Sequence, residues 1–326
     1  MALEKNGASS DFMRRTKHDG TTMPSHVQAK IPGGGLSTAP EDIKSALHRQ
    51  FLDWFAARKH GPGGGPYQGR PSVGELYDTE LRPALMCVAY SVTIEEVMAA
   101  IKSAPSKSCP GPSGISIPFI KLFPDGYIGS LCSMFNLILA WGLLPKVFDE
   151  GFIFPIPKKG TFSAENCRPI SLLEVHLKLL TRIINRRLVY ALLDADFFAE
   201  EQFGFLPGRS CPDAFHILLG AIEDAKESDS EIHVCLIDLT KAFDSLSPKS
   251  LQQSYSAAGL SERSCKFLGS LDGTGKARFL TPFGPTAELL MEWGVRQGKV
   301  LSPLKFITWL NPWLKHIAEK FPEAGY

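Results

Sequence analysis

At 326 residues with 44% apolar content, the chain is long enough to bury a substantial core and exceeds an ordinary single domain. Its 35 lysines and arginines nearly equal its 34 aspartates and glutamates, so global charge argues neither for nor against a nucleic-acid partner, and any basic surface must be local. The seven cysteines are widely spaced and never form a C-x-x-C pair, so neither a disulfide framework nor a zinc site is indicated and a reducing compartment is expected.

Residues 1–40 are rich in Gly, Ser, Thr and Pro without periodic apolar spacing, a composition that predicts disorder. No short apolar stretch of the secretory kind occurs there, and Lys5, Arg14, Arg15 and Lys17 stand among polar residues, so the chain reads as intracellular and not secreted. Ile43, Leu47, Phe51, Leu52 and Phe55 recur at helical spacing until Gly61–Pro66 stops them, and a joint is expected there. A further helix is expected after Ser91 or Thr93, with Glu95 and Glu96 in its first turn where the helix dipole favours anions. It should end before the turn-forming run Cys109 to Gly114.

Two helical patterns run from Pro118 to Leu144. The most apolar part, Leu131 to Leu144, holds Ser133, Asn136 and Gly142 and is too short for a bilayer. Phe152 to Pro157 reads as a strand and Leu172 to Leu192 as a long helix. Glu231 to Leu239, β-branched and apolar, suits a strand buried on both faces. A helix capped by Ser247 with Pro248 in its first position follows, and Gly259 lies beyond its end. Ala277–Thr281 and Ala287–Trp293 suggest a hairpin, and a last helix runs from Ser302 and Pro303 to about Phe321.

Charge is segregated along this order. Gly151 to Tyr190 holds seven basic residues against Glu165 and Glu174, whereas Ala191 to Cys235 holds only Arg209 and Lys226 against ten acids. One segment is thereby able to face phosphate.

Asp238 ends its expected strand in the run Leu236, Ile237, Asp238, Leu239, Thr240, Lys241, Ala242, Phe243, Asp244. A carboxylate there needs a cation or hydrogen-bond donors; a hard divalent ion that keeps phosphate as co-ligand meets that need, and an aspartate opening a turn is the competing reading. Other runs shift the balance: Ile156 to Gly160, Asn166 to Leu173, Gln202 to Ser210, and Gly294 to Gly298 with Leu301 to Leu304. With the upstream Pro110 to Gly114 turn, their order and intervals resemble the reverse transcriptases of non-LTR (LINE-like) retrotransposons across roughly residues 90–320.

The resemblance implies an α+β right-hand polymerase: a mostly helical extension before the fingers over 41–150, fingers over 151–230, and over 231–326 an incomplete palm built on an antiparallel sheet, without a thumb. It implies RNA-templated DNA synthesis, with an RNA template, a DNA primer and deoxynucleoside triphosphates as partners, Mg2+ as cofactor, and a nuclear or cytoplasmic setting. Protein partners are not implied. Asp238 would be the first metal-binding aspartate and the Leu239 carbonyl a second oxygen ligand, in a family site whose two metals lie about 3.5–4 Å apart. Phe243 matches an aromatic gate against the ribose 2′-hydroxyl, with core packing as the equal alternative. Lys158 and Arg168 would grip the triphosphate, with Lys159 nearer template or solvent. Gln297 and Gly298 would lie against the nucleotide, where glycine lets backbone approach closely. Lys178, Arg182 and Arg186, every four residues on one helical face, suggest a solvated face or a template phosphate track.

Several positions depart from the family's pattern. Ser113 stands where Asp is usual, Lys299 and Val300 where Asp and Pro are common, and Lys305 where an apolar residue is expected, which suggests relaxed constraint. No Asp-Asp pair occurs in the sequence, although the family carries one in a later hairpin. Two readings follow: part of a polymerase that is active only in the intact parent protein, with weak or absent metal binding in this chain, or a non-catalytic nucleic-acid-binding remnant.

Overall fold

The computed structural model describes residues 29–30, 36–37, 39–56, 88, 90–157, 167–239, 242–244, 246–272, 275–281, 283–291, 294–295 and 297–322. The expected joint at Gly61–Pro66 lies outside them, as do Lys158 and Lys159. Within the span expected to be disordered, β1 (Ala29–Lys30) and β2 (Leu36–Ser37) form a short antiparallel ladder.

Helix α1 (Pro40–Ala56) follows at the expected place. Thr93 caps α2 (Ile94–Ser103) through a capping box with Glu96, satisfying two backbone donors that the helix leaves open. α3 (Ile117–Ile120) and α4 (Asp125–Trp141) realise the paired helical patterns, and Gly142 ends α4 at φ 68° in the left-handed region. A short turn, α5 (Lys146–Asp149), leads into strand β3 (Gly151–Pro157).

β3 turns back as β4 (Cys167–Leu172), pairing antiparallel with Ile156 opposite Arg168. β3 also pairs in parallel with β5 (Gly275–Thr281), which carries β6 (Gly284–Pro285) and β7 (Leu289–Met291) as antiparallel neighbours. The sheet is therefore mixed, in the order β4-β3-β5-β6 with β7 on β5; the strands within 231–326 pair antiparallel with one another, and the parallel pair is the one that joins β5 to β3. Among the described residues four α-helices intervene between β3 and β5, giving the chain the length a parallel crossover needs.

Helix α6 (Val175–Asp194) is the axis of the core. Leu179, Leu180 and Ile184 are wholly buried there with Phe135 of α4 and Leu246. Leu251 of α8 (Pro248–Ala257), Leu268 of α9 (Glu262–Asp272) and Leu304 and Ile307 of α10 (Ser302–Lys320) join the same cluster. Ser247 caps α8 as expected, its hydroxyl accepting from the Ser250 amide, and Gly259 adopts φ 85° beyond its end. Between α6 and α8 lies α7 (Cys211–Glu227), whose apolar Phe215, Ile217 and Leu219 face solvent and whose buried side chain is Ala225.

The segment from Glu231 to Leu239 corrects the sequence reading. Its residues adopt neither strand nor helix and are exposed throughout, Leu236 by 89%. β-branched composition measures fit to a pleated, half-buried surface rather than an intrinsic backbone preference, and among the described residues no strand lies beside this run to supply that surface.

Lys299 and Lys305, read as signs of relaxed constraint, hold one structural role. Lys299 Nζ donates to the Leu271 carbonyl and Lys305 Nζ to the Leu268 carbonyl at 3.3 Å, both towards the C-terminal end of α9. The Leu271 carbonyl is among the last four of the helix, which lack intrahelical partners, and cations near this end also suit the helix dipole. Lys305 is only 3% exposed and its ammonium lies 5.8 Å from the Tyr255 ring centroid.

Candidate active site

Arg168 projects from β4 and is exposed. Three residues on, the Ser171 amide donates to the Gln297 carbonyl at 2.7 Å. Gly298 then passes so close to β4 that a Cβ there would stand 3.0 Å from the Ser171 oxygen and 3.4 Å from Ile170 Cγ2, and its φ of +98° is strained for any other residue. Because alternate strand residues share a face, Gly298 lies against the face from which Arg168 and Ile170 project. The expected neighbours Arg168, Gln297 and Gly298 are thus brought to one strand.

The other end of this loop is fastened too. The Gly294 amide donates to the Leu246 carbonyl at 3.0 Å and the Val295 amide to the Phe243 carbonyl at 2.9 Å. Phe243 sits in a 3-10 turn, Ala242–Asp244, half-buried, with its ring 5.2 Å from that of Phe306 in α10. Its packing role is therefore visible in the structure.

Behind β4, the Cys109–Gly114 turn is pressed onto the β4–α6 junction. A Cβ on Gly111 would fall 2.5 Å from the Glu174 nitrogen and the Leu173 carbonyl carbon. Glu174 is buried, and both its oxygens are satisfied from Ser113: the amide donates at 2.7 Å and the hydroxyl at 2.5 Å. A buried carboxylate needs such donors, and a second carboxylate at position 113 would repel it. The departure at Ser113 is thereby explained. Sequence reasoning missed Glu174; the faint signal was an acid immediately before a long apolar helix.

The row on α6 does not present three like cations to one surface. Lys178 Nζ donates to the Cys109 carbonyl at 2.5 Å and to Ser108 Oγ at 3.3 Å, and burial lowers its pKa. Arg182 is half-buried, which lowers its pKa, while Arg186 is exposed. Arg187 pairs with Glu96 at 2.6 Å and donates to the Tyr90 and Ser91 carbonyls, tying α6 to the start of α2. Arg209 likewise donates to the carbonyls of Ala199, Glu200 and Gln202, closing the loop before α7.

Asp238 and Leu239 lie on the exposed 231–239 segment, four residues before the 3-10 turn that holds Phe243. Among the described residues no three His, Cys, Asp or Glu side chains gather as a metal site. Mg2+ serves this enzyme family generally, but one aspartate on an unpaired segment, with a neighbouring carbonyl, does not fit two small hard cations that demand near-octahedral oxygen ligation.

Comparison with known proteins fixes the class. The family profile for reverse transcriptase (RNA-dependent DNA polymerase) matches residues 156–325, and the chain belongs to that family. Its relatives are polymerases of non-LTR mobile elements, as the motifs had indicated. It is 30% identical over 226 residues to a probable RNA-directed DNA polymerase from transposon BS of Drosophila melanogaster, covering 67% of this chain and 24% of that protein. It is 27% identical over 305 residues, 92% of this chain and 32% of the relative, to the RNA-directed DNA polymerase from mobile element jockey of Drosophila funebris. A third relative is the Pol polyprotein from the retrotransposable element R2DM of Drosophila melanogaster, 28% identical over 218 residues, which are 67% of this chain and 20% of that protein. The chain thus spans about a fifth to a third of the length of these relatives.

Proposed function

We propose that this chain supplies the nucleotide-binding side of a reverse transcriptase active site, and that RNA-templated DNA synthesis belongs to a larger protein containing it. The anchoring of Gln297 and Gly298 onto β4 beside Arg168 carries this reading. In it, the β3–β4 hairpin is the fingers element. Arg168 stands opposite Ile156 near the end of the hairpin, and Lys158 directly follows Pro157 in the sequence. A point charge and a planar fork are the pair suited to a triphosphate. Residues 231–326 act as palm, with Asp238 and the Leu239 carbonyl as the contribution to metal binding and Phe243 as the gate beside the ribose. Arg186 faces template, and Lys159 is assigned to template by the resemblance.

The test is binding of a fluorescent deoxynucleoside triphosphate to the full chain, without turnover. Arg168→Ala weakens binding about tenfold or more, as loss of a charge-assisted contact should, and Asp238→Asn leaves it unchanged. Equal affinity for Arg168→Ala and the parent chain contradicts the assignment.

The exposure of the Asp238 segment favours a second reading, in which the chain binds nucleic acid without catalysis. Primer extension separates the two: fusion to a partner carrying an aspartate-pair hairpin and thumb restores an activity that Asp238→Asn abolishes under the first reading, and restores none under the second.

A further inference from the structure

The corner formed by α3 and α4 takes no part in the site above, yet it carries a continuous aromatic ladder. Phe119 and Phe123 meet edge to face at 5.0 Å, and Phe123 stacks on Tyr127 at 4.3 Å with 23° between the rings. The Tyr127 hydroxyl lies 2.7 Å from His176 Nε2, and His176 stacks at 6.1 Å on Phe148, which is buried. One end of the ladder is therefore locked in the core. The other is open: Phe119 is 50% exposed and Phe123 37%.

Charge accompanies the open end. From Val97 to Pro124 there is no aspartate or glutamate, while Lys102, Lys107 and Lys121 all fall in that span and are exposed. Lys121, two residues from each exposed ring, donates through Nζ to the Ala104 carbonyl and Ser106 Oγ at 3.4 Å, which ties the loop bearing Lys107 to this corner. Asp125, in the first turn of α4, is the nearest acid in sequence.

Rigid exposed rings beside lysines match the needs of one ligand chemistry. Every base offers a π-face for stacking and every nucleotide a phosphate for an ammonium, so recognition is tolerant of sequence and sensitive to salt. An apolar peptide would use the rings and gain nothing from the lysines.

We propose that this corner is a stacking platform for an unpaired nucleic-acid strand, separate from the nucleotide site on β4. It deepens the polymerase reading by giving the strand a second hold. That hold sits on the same β4–α6 junction, because the Cys109–Gly114 turn connects the corner to Leu173 and Glu174.

The experiment is fluorescence anisotropy of a labelled 12-nucleotide oligo-U, and of the matching oligo-dT, with the full chain at two salt concentrations. Phe119→Ala should weaken both about tenfold while leaving the salt slope unchanged, and Phe119→Trp should restore affinity. Lys107→Ala with Lys121→Ala should instead flatten the slope by about 0.7 per lysine lost. Leu122→Ser, at an 82% exposed neighbour, should bind as the parent does. Unchanged affinity in Phe119→Ala overturns the platform, and so does an equal loss in Leu122→Ser, which marks a general apolar docking face. Triphosphate affinity in Arg168→Ala is read separately, so failure of the platform and failure of the nucleotide site give different results.

Discussion

Arg168 and Asp238 are assigned to two sides of one proposed site, the triphosphate grip and the metal-binding carboxylate, yet their surroundings differ. Arg168 stands on a strand paired along its length, against which a glycine loop is fastened by the Ser171–Gln297 hydrogen bond, the loop's other end being held by Gly294 on the Leu246 carbonyl and Val295 on the Phe243 carbonyl. Asp238 stands in a segment whose neighbours, including Ile237 at 65% and Leu236 at 89%, are exposed. By composition the 231–239 run, with Ile232, Val234 and Ile237, is the better strand candidate, whereas β4 holds Arg168, Pro169 and Ser171. Partners decide instead: β4 has β3 on one side and the Gly298 loop against it, and the 231–239 run has no neighbouring strand among the described residues. In this fold, order at the site follows the pairing that each segment finds.

This contrast can be broken most severely at the turn behind β4. Gly111→Ala places a methyl group 2.5 Å from backbone atoms of Leu173 and Glu174, neither of which is the movable end of a side chain. A loss of about 3 kcal/mol is expected in urea unfolding, with triphosphate affinity falling in parallel. Ser113→Asp comes next. It removes a hydroxyl donor and sets a carboxylate against buried Glu174, costing about 2 kcal/mol at pH 7. The like-charged pair holds a proton more tightly when folded, so this variant should regain stability as pH falls towards 4, and a deficit independent of pH would contradict the cause.

Gly298→Ala sharpens the contrast from the other side. Its Cβ is tight against the Ser171 oxygen and its φ is strained, so a loss of about 1–2 kcal/mol is expected, with triphosphate binding weakened more than the fold. A smaller effect should come from His176. Burial lowers its pKa, outweighing the opposing pull of Glu174, so the folded chain binds fewer protons than the unfolded one between the lowered value and the ordinary value. Stability is full above the ordinary value, about 6.5, and declines as pH drops through it towards the lowered one. Thermal unfolding from pH 8 to 5 should show this slope, and His176→Asn should reduce it. The smallest effect is expected in the exposed segment, where Leu236→Ser should stay within about 0.5 kcal/mol of the parent.

Much of the architecture was legible from local signals. The Thr93–Glu96 box, the Ser247–Pro248 start and the Gly259 stop act within a few residues of chain and appear where read. Strand β4 was hidden because Pro169 interrupts its pattern, and its partner β3 is supplied by an antiparallel return. The 231–239 strand was misread because an apolar run states a capacity to pair, not the presence of a neighbour. At the site, Gly298 was singled out through the family resemblance, not from its local spacing. The buried Glu174–Ser113 contact was not legible, since it joins residues 61 apart, and neither was the diversion of Lys178 to the Cys109 carbonyl.

Backbone hydrogen exchange on the full chain compares the two halves of the site directly. The account predicts a slowly exchanging Ser171 amide, held by the Gln297 carbonyl and made faster by Gly298→Ala, alongside rates close to those of an unstructured peptide across Val234 to Ile237. Protection of Val234 to Ile237 comparable to that of Ser171 would contradict it, because the carboxylate side would then be as firmly built as the nucleotide side.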